Sequence, residues 1–350
     1  MRDAIVVGAS AGGVRTLKDM LRCVPADLPA AILVVVHIPA YPPSALPLVL
    51  ASAGPLPVKA AEDGEPLQKG KVYIAPSDQH LLVDRGRLRL TRGPRENRVR
   101  PCIDTLFRSA AVDLGPRVVG VVLSGVLDDG TAGLWAIKDR GGVAVVQDPS
   151  EAEFPDMPKN ALAHVDVDHV LPVDKIGSTL AAVTAQSIPR ATPVPRAMAA
   201  EAAIELRGNA LRQGVLDLGQ PSSNSCPECH GSLVEIREGS IVRYRCHTGH
   251  AYSLQTLLAE TEVAIEKSLW NAVRAIEERS FLLRTLERRA RESGDDALAE
   301  RLAADASRDA TNAQRVRQLT AGRDALDLNV VAGGNADFRA AAARGAALPR

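Results

Sequence analysis

Four short runs of unbroken apolar residues constrain this chain more than any other feature. They are "AIVVGA" (4–9), "AAILVVVHI" (30–38), "VVGVVLSG" (118–125) and "VAVVQD" (143–148). Each is strand-length, rich in β-branched residues and without polar alternation. A strand that is apolar at every position needs cover on both faces, which is the situation of a parallel strand between two helical layers. Helical spacing fills the gaps, as in "GGVRTLKDMLRCV", where Val14, Leu17, Met20 and Leu21 recur on one face. Repeated strand–helix–strand units predict an α/β fold: a doubly wound, mostly parallel, Rossmann-like sheet with right-handed crossovers. "KVYIAP" and "HLLVDRGRLRLT" alternate instead and read as antiparallel strands, the second a hairpin turning at Arg85-Gly86.

The pattern holds over residues 1–187 and then changes. Residues 188–224 are proline-rich and read as a linker with some local helix. Residues 225–252 hold a cysteine cluster. Residues 253–323 read as a helical hairpin broken near "RESGDD", its first helix carrying Leu269, Val273, Ile276, Leu283 and Leu286 at helical steps. The Ala/Gly/Arg-rich residues 324–350 read as a disordered tail.

The 42 basic residues balance 42 acidic ones, which argues against nucleic acid or an anionic membrane as partner. No charged-then-apolar leader opens the chain, and no apolar run approaches the roughly 20 residues of a bilayer span. A cytoplasmic protein without membrane insertion is expected.

The loop after the first strand, "GASAGGV", admits two chemistries. A dinucleotide site wants glycine at the middle position of G-x-G-x-x-G, where backbone meets pyrophosphate, and an acid at the end of the second strand. Here those places hold Ser10 and His37. Both substitutions point away from a nicotinamide cofactor and toward a nucleophile with its base. A serine on a tight strand-to-helix turn projects its hydroxyl above the sheet, beside unpaired helix N–H groups that can hold an oxyanion. A carboxylate should fix the imidazole, and the third apolar run ends in Asp128 and Asp129 before a glycine and a helix. One of the two can cap that helix while the other orients His37. The chain order Ser, His, Asp differs from that of ordinary α/β-hydrolases and of the chymotrypsin and subtilisin types.

These segments resemble the catalytic domain of the chemotaxis protein-glutamate methylesterases, the CheB family. The similarity lies in "VVGASAGGVRTL", "VVVHIPA", "AEDGEPLQKGKVYIAPSDQHLLV", "NRVRPCIDTLFRSAA" and "GVVLSGVLDDGTAGLWAIKDRGGVAVVQDPSEAEFPDMPKNAL", spread over residues 3–185. The resemblance implies Ser10 as nucleophile, His37 as general base and Asp129, rather than Asp128, as the orienting acid. It implies glutamyl γ-methyl esters on methyl-accepting chemoreceptor-type proteins as substrate, glutamine deamidation as a second activity, and no cofactor for catalysis. Typical members carry Thr after the nucleophile, where this chain has Ala11, and Gly-Met-Gly in the acid loop, where it has Gly125-Val126-Leu127. The backbone of Val126 could still serve the oxyanion. Typical members also begin with a phosphoacceptor receiver domain, whereas this chain starts on the first catalytic strand. Control is therefore expected from the C-terminal half or from a partner such as a signalling kinase or regulator. A non-catalytic scaffold binding such proteins is the alternative reading.

Among the other polar residues, Asp78 and His80 read as a turn and strand start. Asn97, Arg98 and Arg100 read either as a solvated loop or as a contact for an acidic receptor surface, and His164 and His169 as structural. Cys23 and Cys102 read as small buried apolar residues. Cys226, Cys229, Cys246 and His250 follow a Cys-x2-Cys and Cys-x3-His pattern around the alternating "LVEIRE" and "IVRYRC". A hairpin there would bring both pairs together as a closed Cys3His structural zinc site, a zinc-ribbon-like module that needs its metal to fold. His230 and His247 are alternatives to His250.

Overall fold

The computed structural model describes residues 1–39 and 44–321. In chain order its first elements are β1 (Ala4–Ala9), α1 (Gly13–Arg22), β2 (Ala31–Val36), α2 (Leu46–Ala51), β3 (Val58–Ala60) and β4 (Val72–Ile74). The hairpin β5 (His80–Asp84) and β6 (Arg87–Thr91) follows, then α3 (Ile103–Leu114), β7 (Val118–Val122), α4 (Thr131–Asp139) and β8 (Val143–Gln147). The chain continues through α5 (Asp156–His164), β9 (His169–Leu171) and α6 (Val173–Ala185). Seven strands form one sheet in the order β3-β4-β2-β1-β7-β8-β9, every pair parallel. The chain winds outward from β1 to β2 and then resumes on its other side at β7. The switch point thus lies beside the central strand, where doubly wound sheets place their ligands.

The apolar runs are central strands because both of their faces are covered. Along β1, Val6 packs into a core shared with Leu106, Phe107 and Leu134 of α3 and α4. Its neighbours Ile5 and Val7 pack into a second core with Leu17 and Met20 of α1 and Ile176 and Leu180 of α6. Burying one such side chain stabilises the fold by about 1.5–3 kcal/mol. Gly8 sits where α3 crosses β1. A Cβ there would fall 2.3 Å from Ile103 Cγ2, so the glycine lets the start of α3 approach the carboxyl end of the strand.

Two strand expectations divide here. The β5–β6 hairpin is antiparallel as expected. The strand within "KVYIAP" is instead β4, parallel to β2 and β3, because all three of its residues are buried between the helical layers.

The stretch expected as a linker also differs. It contains α7 (Arg196–Arg207), which buries Met198, Glu201, Ala202, Ile204 and Glu205. After it come β10 (Gln220–Ser225), β11 (Ser232–Glu238), β12 (Ile241–Cys246) and β13 (Ala251–Ser253), a four-stranded antiparallel sheet. Residues 1–257 form one compact unit, so linker and ribbon are parts of the α/β body. Buried ion pairs join them. Arg108 of α3 donates to Glu96 (2.6 Å), Arg245 of β12 donates to Glu96 (2.7 Å) and to Glu205 (2.7 Å), and Arg243 donates to Glu201 (2.6 Å).

The second unit begins at residue 258 and holds most of α8 (Leu254–Glu292) and all of α9 (Asp296–Ala321). The two form an antiparallel hairpin in which Ser280 donates to the Ala306 carbonyl (3.0 Å) and Arg279 to Asp309 (3.0 Å). Its seam runs through Val273, Ser280 and Ala290 against Ala299, Ala306 and Ala313. Of the apolar residues read at helical steps along α8, Val273 is buried and Leu286 is 49% exposed. The expected disordered tail lies outside the described residues. No helix among the described residues is long and apolar enough to cross a membrane.

Candidate active site

Three loops at the carboxyl edge of the sheet converge. Parallel pairing sets Ala9 beside Val36, so the residues that follow, Ser10 and His37, leave the sheet together. The Ser10 N–H donates to the Ser124 carbonyl (2.9 Å) and the His37 N–H to the Ala9 carbonyl (3.2 Å). Gly12, at φ +72°, turns the chain into α1. The Ser124 hydroxyl donates to the Ala11 carbonyl (2.8 Å), tying the loop after β7 to the loop after β1.

Within this frame His37 Nδ1 lies 3.1 Å from Ser10 Oγ, and His37 Nε2 lies 2.7 Å from Asp129 Oδ2. The imidazole is 15% exposed and the carboxylate 4%, so the relay opens to solvent at the serine end. Its polarity follows from the carboxylate. Asp129 Oδ2 also accepts the Ile103 N–H (2.8 Å). Oδ1 accepts Asn97 Nδ2 (3.0 Å), the Cys102 thiol (3.1 Å), and the N–H groups of Asp104 (3.2 Å) and Gly130 (3.0 Å). Burial alone would raise the Asp129 pKa. The His37 hydrogen bond and charge, helped by the Ile103 and Asn97 donors, outweigh it and hold the carboxyl well below the usual range. An ionised Asp129 keeps the imidazole proton on Nε2 and leaves the Nδ1 lone pair facing the serine hydroxyl.

Asp129 thereby takes the place of a cap for α3, whose own N-cap residue, Cys102, makes no side-chain capping bond. The first N–H groups of α3 point at the carboxylate and the helix dipole favours its charge. Asp128 faces elsewhere. It accepts from the Ser253 hydroxyl (2.7 Å), and burial pushes its pKa up to about 6. Asp104 is buried beside Asp129; burial and the charges of Asp129 and Glu96 push it well above the usual range.

Sequence reasoning missed Asn97. A flanking run of arginines suggested a loop facing water or receptor, yet Asn97 is 5% exposed and reaches both Asp129 and Asp104 (2.8 Å). The available signal was conformational, since a short polar residue tolerates φ +51° better than most. Arg100 pairs with Asp78 (2.7 Å), and His80 is buried at the start of β5 with Nε2 against the Pro94 carbonyl (3.0 Å). A cleft of about 210 Å³ beside His37 is lined by Arg95, Arg98 and Arg100 with Val99, Pro101 and Asp78.

The cysteine cluster also assembles. One donor atom each from Cys226, Cys229, Cys246 and His250 lies within 4.8 Å of the others, and neither His230 nor His247 belongs to the group. His250 Nδ1 is 3.7 Å from Cys226 Sγ and 3.6 Å from Cys246 Sγ, while Cys229 and Cys246 Sγ are 3.6 Å apart. A tetrahedral zinc with ordinary bond lengths separates two sulfurs by about 3.8 Å, and sulfur from nitrogen by about 3.6 Å. The donor set fits that ion in both chemistry and spacing. His250 Nε2 faces Glu228 (3.2 Å), a carboxylate that would hold the ring with Nδ1 toward the three sulfurs.

Comparison with known proteins bears on residues 5–180, just over half of the chain, which match the family model of CheB methylesterase. A relative from Leptospira interrogans is 39% identical over 175 residues, 50% of this chain and 91% of its own length. An Anaeromyxobacter dehalogenans protein named protein-glutamate methylesterase/protein-glutamine glutaminase 2 is 42% identical over 182 residues, 52% of this chain and 53% of that one. Like the latter, several other curated relatives are spanned over about half of their length. The crystal structure of the Thermotoga maritima CheB methylesterase catalytic domain aligns at a TM-score of 0.50 with 35% identity, covering 52% of this chain and 98% of that chain.

Proposed function

This chain belongs to the CheB methylesterase family, and from that premise we propose that it hydrolyses glutamyl γ-methyl esters on chemoreceptor-type signalling proteins through Ser10, His37 and Asp129. The observation that carries the assignment is the two-sided contact of His37, 3.1 Å from the Ser10 hydroxyl and 2.7 Å from Asp129. In the reaction Nδ1 of His37 takes the Ser10 proton as Oγ attacks the ester carbonyl. Backbone N–H groups at the start of α1, joined by that of Val126, receive the oxyanion, each such donor contributing about 3 kcal/mol. Collapse expels methoxide, which leaves as methanol with the proton from His37. Water then adds to the acyl-enzyme with His37 again as base, releasing the glutamate carboxylate and restoring Ser10. Asp129 stabilises the imidazolium in both halves. With a glutamine side chain the same steps expel ammonia.

Family members need no cofactor for this chemistry. In the ribbon, Cys226, Cys229, Cys246 and His250 would hold zinc. All four ligands come from the protein, so the ion supplies folding energy to a module with a small core. Among the described residues no helix is long and apolar enough to cross a membrane; a substrate on receptor signalling domains would put the protein in the cytoplasm.

A fluorophosphonate probe followed by peptide mapping tests the nucleophile, base and oxyanion site together. Labelling is expected at Ser10, and Ser10→Ala should fold normally and release no methanol from methylated receptor fragments. Wild-type rates of methanol release from that variant would end the assignment.

A further inference from the structure

The ribbon and the start of α8 lie beyond the family match, yet they reach the acid of the relay. The Asn97 carboxamide is held at both ends. Its Oδ1 accepts the Ser253 N–H (2.9 Å) and the Thr256 hydroxyl (3.3 Å). Its Nδ2 donates to Asp129 Oδ1 (3.0 Å) and Asp104 Oδ2 (2.8 Å). Turning the amide over would set its NH2 against the Ser253 N–H and its oxygen against two carboxyl groups. Ser253 and Thr256 therefore select the orientation in which Asn97 donates to the acid. Ser253 makes a second contact to the same loop, donating its hydroxyl to Asp128 (2.7 Å).

The backbone explains how a ribbon can aim so closely. Residues 95–97 run beside β13 as an added parallel segment. Ala251 N–H donates to the Arg95 carbonyl (3.2 Å) and Asn97 N–H to the Ala251 carbonyl (2.9 Å). Glu96, between them, is 1% exposed and clamped by Arg108 from the α/β side and Arg245 from the ribbon. Asn97 thus sits on a segment shared by two sheets, with its side chain on the acid and its backbone in the ribbon.

We propose that the ribbon–helix junction is a positioning element of the esterase, Ser253 and Thr256 acting through Asn97 to hold Asp129 in the geometry that orients His37. The proposal rests on the hydrolase reading, and the test separates the two. The rate of fluorophosphonate labelling at Ser10 is measured in the full chain against probe concentration, for wild type, Asn97→Ala, the pair Ser253→Pro/Thr256→Val, which removes the backbone N–H and the hydroxyl that face Asn97 Oδ1, and the triple variant. The pair should lower the maximal labelling rate about tenfold and Asn97→Ala by about tenfold to a hundredfold, with the half-saturating probe concentration unchanged. The triple variant should label no more slowly than Asn97→Ala alone, because the junction acts through that amide. Ser253→Thr, which keeps the N–H facing Asn97 and a hydroxyl able to accept the Thr256 N–H (3.0 Å) at the start of α8, should label at the wild-type rate. Losses that multiply in the triple variant, or a pair that labels like wild type, would overturn the proposal while leaving the hydrolase reading intact. A wild-type protein not labelled at Ser10 would overturn both.

Discussion

Replacing Asp129 by Asn is isosteric and removes one charge, and the surrounding donors dictate where the new NH2 must go. Oδ1 accepts from four groups, Asn97, Cys102, Asp104 and Gly130, whereas Oδ2 accepts from two, His37 and Ile103. The amide keeps more bonds with its oxygen toward the four and its nitrogen toward His37. His37 Nε2 must then accept, its proton moves to Nδ1, and Nδ1 is the atom facing Ser10 Oγ. A protonated Nδ1 cannot receive the serine proton. A triad in the wrong tautomer loses about 10⁴-fold in kcat, equivalent to roughly 5.4 kcal/mol of transition-state stabilisation. The assay is methanol release from a methylated receptor fragment, with substrate half-saturation compared between the two proteins and folding followed by circular dichroism. Loss in kcat with little change in KM is expected. A folded variant within tenfold of wild-type kcat would refute the tautomer argument.

Further expectations concern the buried charges and the metal. Asp128 has its pKa raised in the folded state to about 6 from 3.8. The native protein therefore holds that proton more tightly than the unfolded chain, and stability falls as pH rises from about 4 to 6. Asp128→Asn should flatten this slope and gain up to about 3 kcal/mol above pH 6, read from denaturant midpoints at pH 5 and 7.5; equal midpoint shifts at both would contradict it. Glu96 runs the other way: burial would raise its pKa, but Arg108 and Arg245 lower it to about 2. Its contribution is present above its unfolded value near 4.5 and disappears as pH falls toward 2. Glu96→Gln leaves buried guanidinium groups short of a counter-charge and should cost about 3–5 kcal/mol at pH 7, a loss under 1 kcal/mol showing the cluster to be dispensable. The purified chain should carry one zinc per molecule by elemental analysis, and Cys226→Ser should lose the metal along with the heat stability of the unit holding the ribbon; full zinc occupancy in that variant would remove Cys226 from the ligand set.

The parts of this protein visible in its sequence are those whose physics is local. Continuous apolar runs such as Ile32–Val36 mark central strands because burial on both faces leaves no room for polar residues. Ser10 and His37 stood out because each occupies a strand end where another chemistry would demand glycine or an acid. What stayed hidden is held by distant charge. Helix α7 has weak apolar periodicity because two of its buried residues are Glu201 and Glu205, and burial there makes sense only beside arginines some forty residues further along. Asn97 looked like a surface residue for the same reason, since its partners come from α3, the acid loop and residue 253. In the helical hairpin the seam follows Ser280 and Ala290. Small residues permit close helix approach, so large apolar side chains at helical steps mark only part of this seam: Val273 lies on it and Leu286 does not.

The shared guanidinium–carboxylate cluster means that homology and foldability part company along this polypeptide. Cutting after residue 187, just past the family match that ends at residue 180, would strip Glu96 of Arg245 and uncover Arg108, stranding charged groups in a half-exposed crevice. An excised N-terminal half should therefore be a poor stand-in for the intact enzyme, and grafting experiments would need to carry everything through Leu257 as one cassette.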